Sequence, residues 1–204
     1  MEKRLTTRDI ESIRKKKKIY KAAMKLFQTY GYEQVTMKMI SAESEMSEGS
    51  IYHYFGEKAG ILDYVIVESQ EEPVSILIEG ANNNRSPKEV ILAYLCKELD
   101  LYENLGRDLV TIATKRTRRT NSPHAENVSD LMQIIQPALT AYIHNYLENG
   151  NLISSCSADE AAYILTAQGS GLTNIWCSYG DHYSLRELGE NAFRILIDSL
   201  FKET

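Results

Sequence analysis

The chain has 204 residues, of which 43% are hydrophobic and 25% are charged, and its formal net charge is −5. This length and composition are sufficient for one compact chain of two subdomains and exclude a mainly disordered protein. The sequence has neither an apolar run of about 18 residues nor a secretion-signal pattern, so we expect a cytoplasmic protein without a membrane partner. Three widely spaced cysteines, Cys96, Cys156 and Cys177, fit a reducing compartment.

Positive charge is concentrated towards the N-terminal end. Residues 1–60 carry 12 Lys and Arg against 8 Asp and Glu, a net charge of +4, whereas residues 61–204 carry 11 against 20, a net charge of −9. The largest basic contribution comes from five consecutive residues, Arg14, Lys15, Lys16, Lys17 and Lys18. They begin an amphipathic helical pattern that Gly31 ends. Such a run either contacts nucleic-acid phosphates or forms a solvated surface.

Two short helices joined by a tight turn are predicted after this first helix. Thr36 and Ser47 each precede a helix, and each hydroxyl can accept a hydrogen bond from an unpaired backbone N–H of the first turn. Small polar residues begin the second helix, which is typical of a helix that enters the major groove of DNA. We therefore expect DNA contacts from Lys15, Lys16, Lys17, Lys18, Thr36, Ser47, Glu48, Gly49, Ser50, Tyr52, His53, Tyr54 and Lys58.

Glu48 is an unusual residue for a helix that approaches phosphates. Its carboxylate either accepts a hydrogen bond from cytosine N4 or is a solvated acid stabilised by the dipole at the helix start. Thr36 and Lys58 are expected to hold phosphates, because a helix N-terminus and an ammonium both attract anions. Phosphate contacts set the register, and base contacts set the sequence preference.

The pattern is carried by Phe27, Gly31, Tyr32, Thr36, Ile40, Ser47, Gly49, Ile51, Tyr52, Phe55, Lys58 and Leu62. Over roughly residues 15–65 it resembles the N-terminal signature of TetR-family transcriptional regulators. Members of that family are all-helical homodimers with an operator-binding N-terminal domain and a variable effector-binding C-terminal domain. The resemblance implies a helix-turn-helix DNA-binding domain at 1–60 and an effector-binding and dimerisation domain at 61–204.

Two positions depart from the family pattern. Glu45 stands where the turn usually has Gly, and Ser41 stands where Ala is more usual. A non-Gly residue in the left-handed conformation costs roughly 1 kcal/mol or more, so we expect Glu45 to adopt a slightly different turn.

Further helices are predicted throughout the C-terminal part. Capping boxes of the form Ser-x-x-Glu begin at Ser86, Ser157 and Ser184, and each opens an apolar helical pattern. The first of these helices is expected to end at Gly106, and the other two to span 158–178 and 185–201.

The segment between Gly106 and Gly150 is predicted to contain shorter pieces. A helix at 109–113 is followed by a basic loop at 115–121, and helices at 123–135 and 137–149 are separated at Pro137. The fold class is therefore all-α, with about nine or ten helices.

The last two helices are the expected dimer interface. The resemblance implies a four-helix bundle built from this pair of helices in two subunits, and glycine inside a helix indicates close approach or a pocket wall. The expected interface residues are Gly169, Gly171, Leu188, Ala192, Ile195, Leu196 and Ser199. We call the second short helix, which is expected to enter the major groove, the reading helix. A two-fold dimer places its two reading helices about 34–36 Å apart, which matches the spacing of successive major grooves.

The effector site is expected among aromatic and polar residues of the C-terminal helices, because ligand cavities are mostly apolar with a few convergent polar groups. The same pattern also describes ordinary core packing. The candidates are Tyr94, Tyr102, Tyr142, Tyr163, Gln168, Asn174 and Trp176.

No metal site, cofactor or catalytic centre is predicted. His144 and Glu148 have helical i, i+4 spacing but lack a further pair of metal ligands, and His124 has no such partner. Phosphate-binding, zinc-protease and nucleophile-elbow motifs are absent from the sequence. The basic run 115–119 either attracts an anion or is solvated, and no motif indicates a reactive cysteine.

The function that these features favour is a DNA-binding transcriptional regulator, expected to be a repressor that a small-molecule effector releases from its operator. Two alternatives remain open at this stage. One is a DNA-binding factor that is controlled by a protein partner or that acts without a ligand. The other is a helical enzyme.

Overall fold

A computed structural model describes residues 6–69, 71–82, 85–117, 138–146, 152–153, 155–179 and 183–202. Within these ranges the chain forms ten helices, no strand longer than the single bridge between Leu152 and Phe201, and no helix long and apolar enough to cross a membrane. The all-α prediction is confirmed. The predicted helix at 123–135, the break at Pro137, His124, Glu148 and the basic residues from 118 onward lie outside the described residues.

The chain divides into two compact units, Met1–Val65 and Ile66–Thr204. The boundary falls inside the fourth helix, a few residues after the limit at residue 60 that the sequence suggested. Unit 1 contains α1 (Thr7–Tyr30), α2 (Met37–Ser44), α3 (Glu48–Phe55) and the start of α4 (Lys58–Ser69). Unit 2 contains α5 (Glu71–Asn82), α6 (Pro87–Leu105), α7 (Arg107–Thr117), α8 (described at 138–146), α9 (Ala158–Tyr179) and α10 (Leu185–Leu200).

Unit 1 is held together by an apolar core that every helix contributes to. Its members include Ile19 and Phe27 of α1, Ile40 of α2, Ile51 of α3 and Leu62 of α4, which are all at most 2% exposed. Burying side chains of this size stabilises the fold by roughly 1.5–3 kcal/mol each. This core fixes the crossing of α2 and α3.

The turn between α2 and α3 corrects one expectation. Glu45 adopts the left-handed conformation itself, with φ of 51°, so the prediction of a different turn is wrong. Two hydrogen bonds stabilise this turn: Lys18 Nζ donates to Glu45 Oε2 at 2.7 Å, and Ser41 Oγ donates to the Met46 carbonyl at 2.6 Å. Ser41 and Glu45, the two residues that depart from the family pattern, therefore each make a hydrogen bond that stabilises this turn.

Unit 2 is arranged around α6, which packs against α5, α9 and α10. Two glycines permit close helix approach. A Cβ at Gly80 of α5 would overlap the side chain of Val90, and a Cβ at Gly189 of α10 would overlap Leu99. Gly106 ends α6 with φ of 89°, as predicted.

The three predicted capping boxes of unit 2 have different outcomes. Ser157 forms the full box, because its backbone N and its Oγ both donate to Glu160 Oε2 while its Oγ accepts from Glu160 N. Ser184 accepts from Glu187 N at 3.2 Å. Ser86 precedes α6, but its side chain makes no capping hydrogen bond, so the prediction of a capping box at Ser86 is wrong. Pro87 at the first helical position begins the helix without it.

Two further details of unit 2 differ from expectation. The helix predicted at 109–113 is longer, because α7 continues to Thr117 and includes Lys115, which was assigned to a loop. Glu103 of α6 also makes hydrogen bonds at the N-terminus of α10. Glu103 Oε1 accepts from Leu185 N at 2.6 Å, and Glu103 Oε2 accepts from Ser184 Oγ at 3.3 Å.

Candidate DNA interface and ligand cavity

The reading helix α3 leaves its polar residues accessible. Ile51 and Phe55 are buried, whereas Glu48, Gly49 and Tyr52 are exposed, as is His53. Ser50 and Tyr54 are half-buried, and the His53 and Tyr54 rings are in edge contact, with centroids 5.2 Å apart. Every α3 residue that is predicted to contact DNA is therefore exposed or half-buried, whereas Ile51 and Phe55 are buried.

Both helices of the motif begin with the predicted side-chain caps. Thr36 Oγ1 accepts from Met39 N at 3.2 Å, and Ser47 Oγ accepts from Ser50 N at 3.2 Å. The Ser47 and Ser50 hydroxyls also share a hydrogen bond of 2.8 Å. These bonds fix the first turns, whose remaining N–H groups and dipole favour anions. A role of Thr36 or Ser47 in binding DNA stays a prediction.

Lys58 has a structural role that the sequence did not indicate. Its ammonium donates to the carbonyls of Tyr32 and Val35, at 2.7 and 2.9 Å, and lies 4.2 Å from the centroid of the Tyr32 ring. An ammonium has three donors, so at most one remains for a phosphate. Lys58 therefore ties the start of α4 to the loop between α1 and α2, and phosphate contact stays a prediction.

The lysines of α1 also have partners within unit 1. Lys15 pairs with Glu11 at 3.0 Å, and this hydrogen bond with its charge raises the pKa of Lys15. Lys16 lies 5.9 Å from the Tyr64 ring centroid, and Lys18 pairs with Glu45. Lys17 is half-buried. A phosphate must compete with these contacts, so the four lysines are expected to contribute unequally to DNA affinity.

Unit 2 contains a cavity of about 240 Å³ between α6, α7 and α9. Its described walls are apolar at Leu99, Leu105, Val110, Ala113 and Leu165 and polar at Glu98, Tyr102, Thr114, Thr166, Ser170, Thr173 and Asn174, with Gly169 between them. Thr173 is 4% exposed, and its Oγ1 has no hydrogen-bond partner in the described part of the chain. A buried hydroxyl without a partner costs free energy, which a ligand can recover by hydrogen bonding.

The predicted effector residues separate into two groups. Tyr102 and Asn174 line the cavity. Tyr94 and Trp176 are buried in the core of unit 2, and Tyr142 is buried with its ring stacked on Tyr146 at 4.8 Å. Tyr163 is 62% exposed on α9, and neither it nor Gln168 is in the wall of this cavity, so a role of either residue in effector binding stays a prediction. The sequence pattern does not determine which residues of these helices face the cavity.

The cavity residues missed from the sequence are Glu98, Thr173 and the surrounding small polar residues. A usable signal was present on α6, where Tyr94, Glu98 and Tyr102 recur every four residues and so share one helix face. Desolvation and the nearby Glu98 charge raise the pKa of Tyr94 and of Tyr102, so both phenols stay protonated. Burial raises the pKa of Tyr142 to about 12.

The predicted dimer residues are mostly exposed or half-buried, and those of α10 lie along one helix face. Leu188, Ile195 and Ser199 are exposed on α10, with Ala192 and Leu196 half-buried between them. Gly171 is exposed on α9, and a Cβ there would meet nothing within 4 Å. Gly169 differs, because its Cβ would lie 3.3 Å from Phe193 Cζ of the same chain. Its small size is explained within the chain, and an interface role stays a prediction.

Two cysteine thiols have raised pKa values, and no metal-binding cluster is found in the described ranges. Burial raises the pKa of the Cys96 thiol to about 11, and burial also raises the pKa of Cys156. Thiols with raised pKa are poor nucleophiles. Among the residues that the structure describes, no group of three His, Cys, Asp or Glu side chains is placed to hold a metal ion.

An exposed reading helix in an all-helical chain defines a helix-turn-helix protein of the DNA-binding class. Residues 19–65 match the model of the family described as bacterial regulatory proteins, tetR family. The transcriptional repressor BepR of Brucella suis is 23% identical over 195 residues, covering 93% of each chain. Residues 19–65 therefore correspond to the N-terminal region of TetR-family regulators, and the chain as a whole is similar to transcriptional regulators of that family.

Solved structures share this fold over nearly the whole chain. A TetR-family regulator from Pectobacterium atrosepticum has a TM-score of 0.73 at 18% identity, covering 98% of this chain and 99% of that chain. Thermus thermophilus FadR in complex with lauroyl-CoA has a TM-score of 0.69 at 21% identity, covering 93% and 97%. Because these sequence identities are low, the similarity to the two structures establishes the fold alone.

Proposed function

We propose that this protein is a transcriptional repressor that binds operator DNA through α3 and leaves it when a small molecule occupies the cavity of unit 2. The observation that carries the proposal is the polar surface of α3, which is held by the Ser47 cap and left accessible from Glu48 to His53. In this proposal residues 1–60 form the DNA-binding domain and residues 61–204 the effector-binding and dimerisation domain. Because the proposed partner is operator DNA, the proposed site of action is the cytoplasm. The proposal includes no catalytic step.

The proposed active form is a homodimer that pairs α9 and α10 of each subunit. Support comes from apolar residues that a single chain leaves exposed: Ile175 at 47%, Leu188 at 39% and Ile195 at 71%. Apolar side chains repeated on one helix face favour association with a facing helix. Two subunits related by a two-fold axis would present two reading helices to successive major grooves.

Release from DNA follows from linkage between the two sites. An effector shifts the dimer only by its difference in affinity for the DNA-competent and the incompetent geometry. Moving the competent population from about 99% to about 1% requires roughly 5.5 kcal/mol, which two effector sites in a dimer can share. The cavity of about 240 Å³ in the described part of unit 2 supports a compact effector.

The test measures binding of the purified protein to DNA from directly upstream of its own gene, by fluorescence anisotropy with scrambled competitor at several salt concentrations. Tyr52→Ala removes an exposed ring from α3, and Tyr30→Ala removes a similarly exposed ring from the end of α1, the two being 50% and 56% exposed. We expect competitor-resistant binding that Tyr52→Ala abolishes and Tyr30→Ala preserves. A protein contact on a base edge supplies about 1–3 kcal/mol of discrimination.

Equal binding of both variants would contradict the assignment of α3 as the reading helix. Binding that competitor or moderate salt removes completely is non-specific and would contradict a specific site in that DNA. The effector arm then uses the same labelled DNA with candidate small molecules. A molecule that binds the protein and lowers DNA affinity supports repression relieved by an effector.

A further inference from the structure

The α9 side of the cavity carries a row of hydroxyl groups. Thr166, Ser170 and Thr173 follow at intervals of four and three residues, which places them on one face of the helix, and all three line the cavity. The walls that α6 and α7 contribute include the apolar side chains of Leu99 and Val110. The cavity therefore combines a hydroxyl-bearing side with hydrocarbon walls.

The Thr173 hydroxyl differs from two other helix hydroxyls of unit 2. A Ser or Thr hydroxyl inside a helix can donate to the carbonyl three or four residues before it. Thr114 donates in this way to the Val110 carbonyl, and Ser178 of α9 donates to the Asn174 carbonyl, both at 2.9 Å. Thr173 Oγ1 has no partner in the described part of the chain, although the residue is only 4% exposed. A ligand that hydrogen-bonds would supply the missing partner.

The walls of the cavity favour an uncharged polar group on the ligand. None of the described lining residues is Lys, Arg or His, so these walls offer no cation to a carboxylate or phosphate. Glu98 accepts a hydrogen bond from Tyr94 at 3.5 Å and has a further interaction within the chain, so its carboxylate is already engaged by the protein. A threonine hydroxyl can donate and accept, and it therefore suits the oxygen of an alcohol or of a carbonyl group.

We propose that the cavity binds a compact, uncharged hydrocarbon that carries a hydroxyl or carbonyl oxygen. The oxygen hydrogen-bonds to Thr173, and the apolar body lies against Leu99 and Val110. A cavity of roughly 150 Å³ can hold benzene. The volume of about 240 Å³ therefore suits a molecule of one or two small rings. This inference rests on the proposed function only for the consequence of binding, since it names the chemical class of the effector.

The experiment measures direct binding to the full chain by isothermal titration calorimetry, without DNA. The probes are indanone, indanol and indane, which share one uncharged bicyclic skeleton and differ only in the oxygen at one ring carbon. A purely apolar cavity would favour indane, because removing the oxygen of the other two from water costs free energy. A hydrogen bond to Thr173 offsets that cost, so we expect indanone or indanol to bind at least as tightly as indane.

Thr173→Val replaces the hydroxyl by a methyl group and should weaken the oxygen-bearing probe by about tenfold relative to indane. Thr114→Val is the matched control, because it makes the same change in the same cavity at a hydroxyl that already bonds to the Val110 carbonyl. It should leave the ratio of affinities intact. The two variants should also differ in urea unfolding. Thr173→Val removes a buried hydroxyl without a partner and should keep or raise the midpoint, whereas Thr114→Val should lower it.

Several results would overturn the proposal. They are binding of none of the three probes, binding of indane more than about tenfold tighter than both others, or an unchanged affinity ratio in folded Thr173→Val. An equal change of the ratio in Thr114→Val would also overturn it, because the effect would then come from wall polarity in general. Circular dichroism establishes that each variant is folded. The order of the probes on the unaltered protein tests the proposal even if Thr173→Val unfolds.

A second arm adds each probe to the operator complex and monitors anisotropy. Binding of indanone or indanol that depends on Thr173 but leaves DNA affinity unchanged contradicts effector-controlled repression and supports the chemical class of the ligand. DNA release by indane alone supports effector control and contradicts the chemical class. The two proposals therefore fail separately.

Discussion

The hydroxyl groups of the helix-turn-helix in unit 1 differ from the Thr173 hydroxyl in the cavity of unit 2 in whether they have a hydrogen-bond partner. In unit 1, Thr36, Ser41 and Ser47 make hydrogen bonds with residues three to five positions away. In unit 2, the Thr173 hydroxyl has no partner in the described ranges, and the start of α10 adds a carboxylate 82 positions away to its local Ser184 cap. A DNA-reading surface needs fixed geometry, which local bonds provide. The packing of α6, α7 and α9 leaves the Thr173 hydroxyl in the cavity wall, where a ligand can form a hydrogen bond with it.

The largest effect is expected from Gly80→Ala, which tests how far unit 2 depends on close helix packing. The new methyl group would overlap Val90, which is fully buried and stiff at χ1 because it is β-branched. We expect a loss of about 1–3 kcal/mol in the free energy of unfolding. Urea unfolding at fixed protein concentration measures it. Unchanged stability would mean that α5 and α6 can separate without cost.

The next effect is expected from Gly49→Ala in unit 1. Gly49 has open space around it, so the methyl group fits, and alanine stabilises a helix by up to about 1 kcal/mol relative to glycine. We expect equal or higher thermal stability but about tenfold weaker operator binding, or about 1.4 kcal/mol, because the methyl group enters the space between α3 and DNA. Anisotropy and calorimetry on the same sample separate the two effects. Full operator affinity would place Gly49 outside the interface.

Helix capping gives a matched pair across the two units. Thr36→Ala removes the cap of α2 and should reduce stability by about 1 kcal/mol. Ser86 occupies the same cap position in α6 but makes no capping hydrogen bond, so Ser86→Ala should change stability by close to zero. Chemical unfolding of both variants provides the comparison. Equal losses would show that the Ser86 hydroxyl does cap α6 in solution.

The smallest effect is expected at the turn of unit 1. The hydrogen bond from Lys18, followed by its charge, lowers the pKa of Glu45. A carboxyl whose pKa is lower in the folded state stabilises the fold above its ordinary pKa, and this contribution is lost as pH falls through the folded-state pKa. Glu45→Gln should therefore lower the melting temperature slightly near neutral pH and not at acid pH. Glu33→Gln, another exposed substitution in unit 1, should not show this difference in melting temperature between neutral and acid pH.

The helices and their local ends were predictable because their signals lie within a few residues. Thr36, Ser47 and Gly106 act as predicted. Ser86 has the same short signal, but the orientation of its hydroxyl depends on its surroundings. Sequence spacing alone does not determine that orientation.

The candidate sites were only partly predictable because side-chain partners are often distant. Lys18 and Lys58 were assigned to phosphate by their charge, yet one contacts the turn at Glu45 and the other contacts the loop before α2. Tyr102 and Asn174 line the cavity while Tyr163 is exposed, a distinction set by the packing of α6, α7 and α9. Periodicity identifies a helix, and tertiary packing decides which of its residues meet a ligand.

The carboxylate of Glu103 has a consequence for building chimeric regulators. Its bonds to Ser184 and Leu185 mean that α10 does not carry all of its own start signal. A chimera that takes α10 from this chain without Glu103 leaves a helix N–H unpaired, whereas one that transfers both residues keeps the start intact. The smallest exchangeable segment of this fold is therefore discontinuous in sequence, and recombination breakpoints between α6 and α10 should preserve the pair.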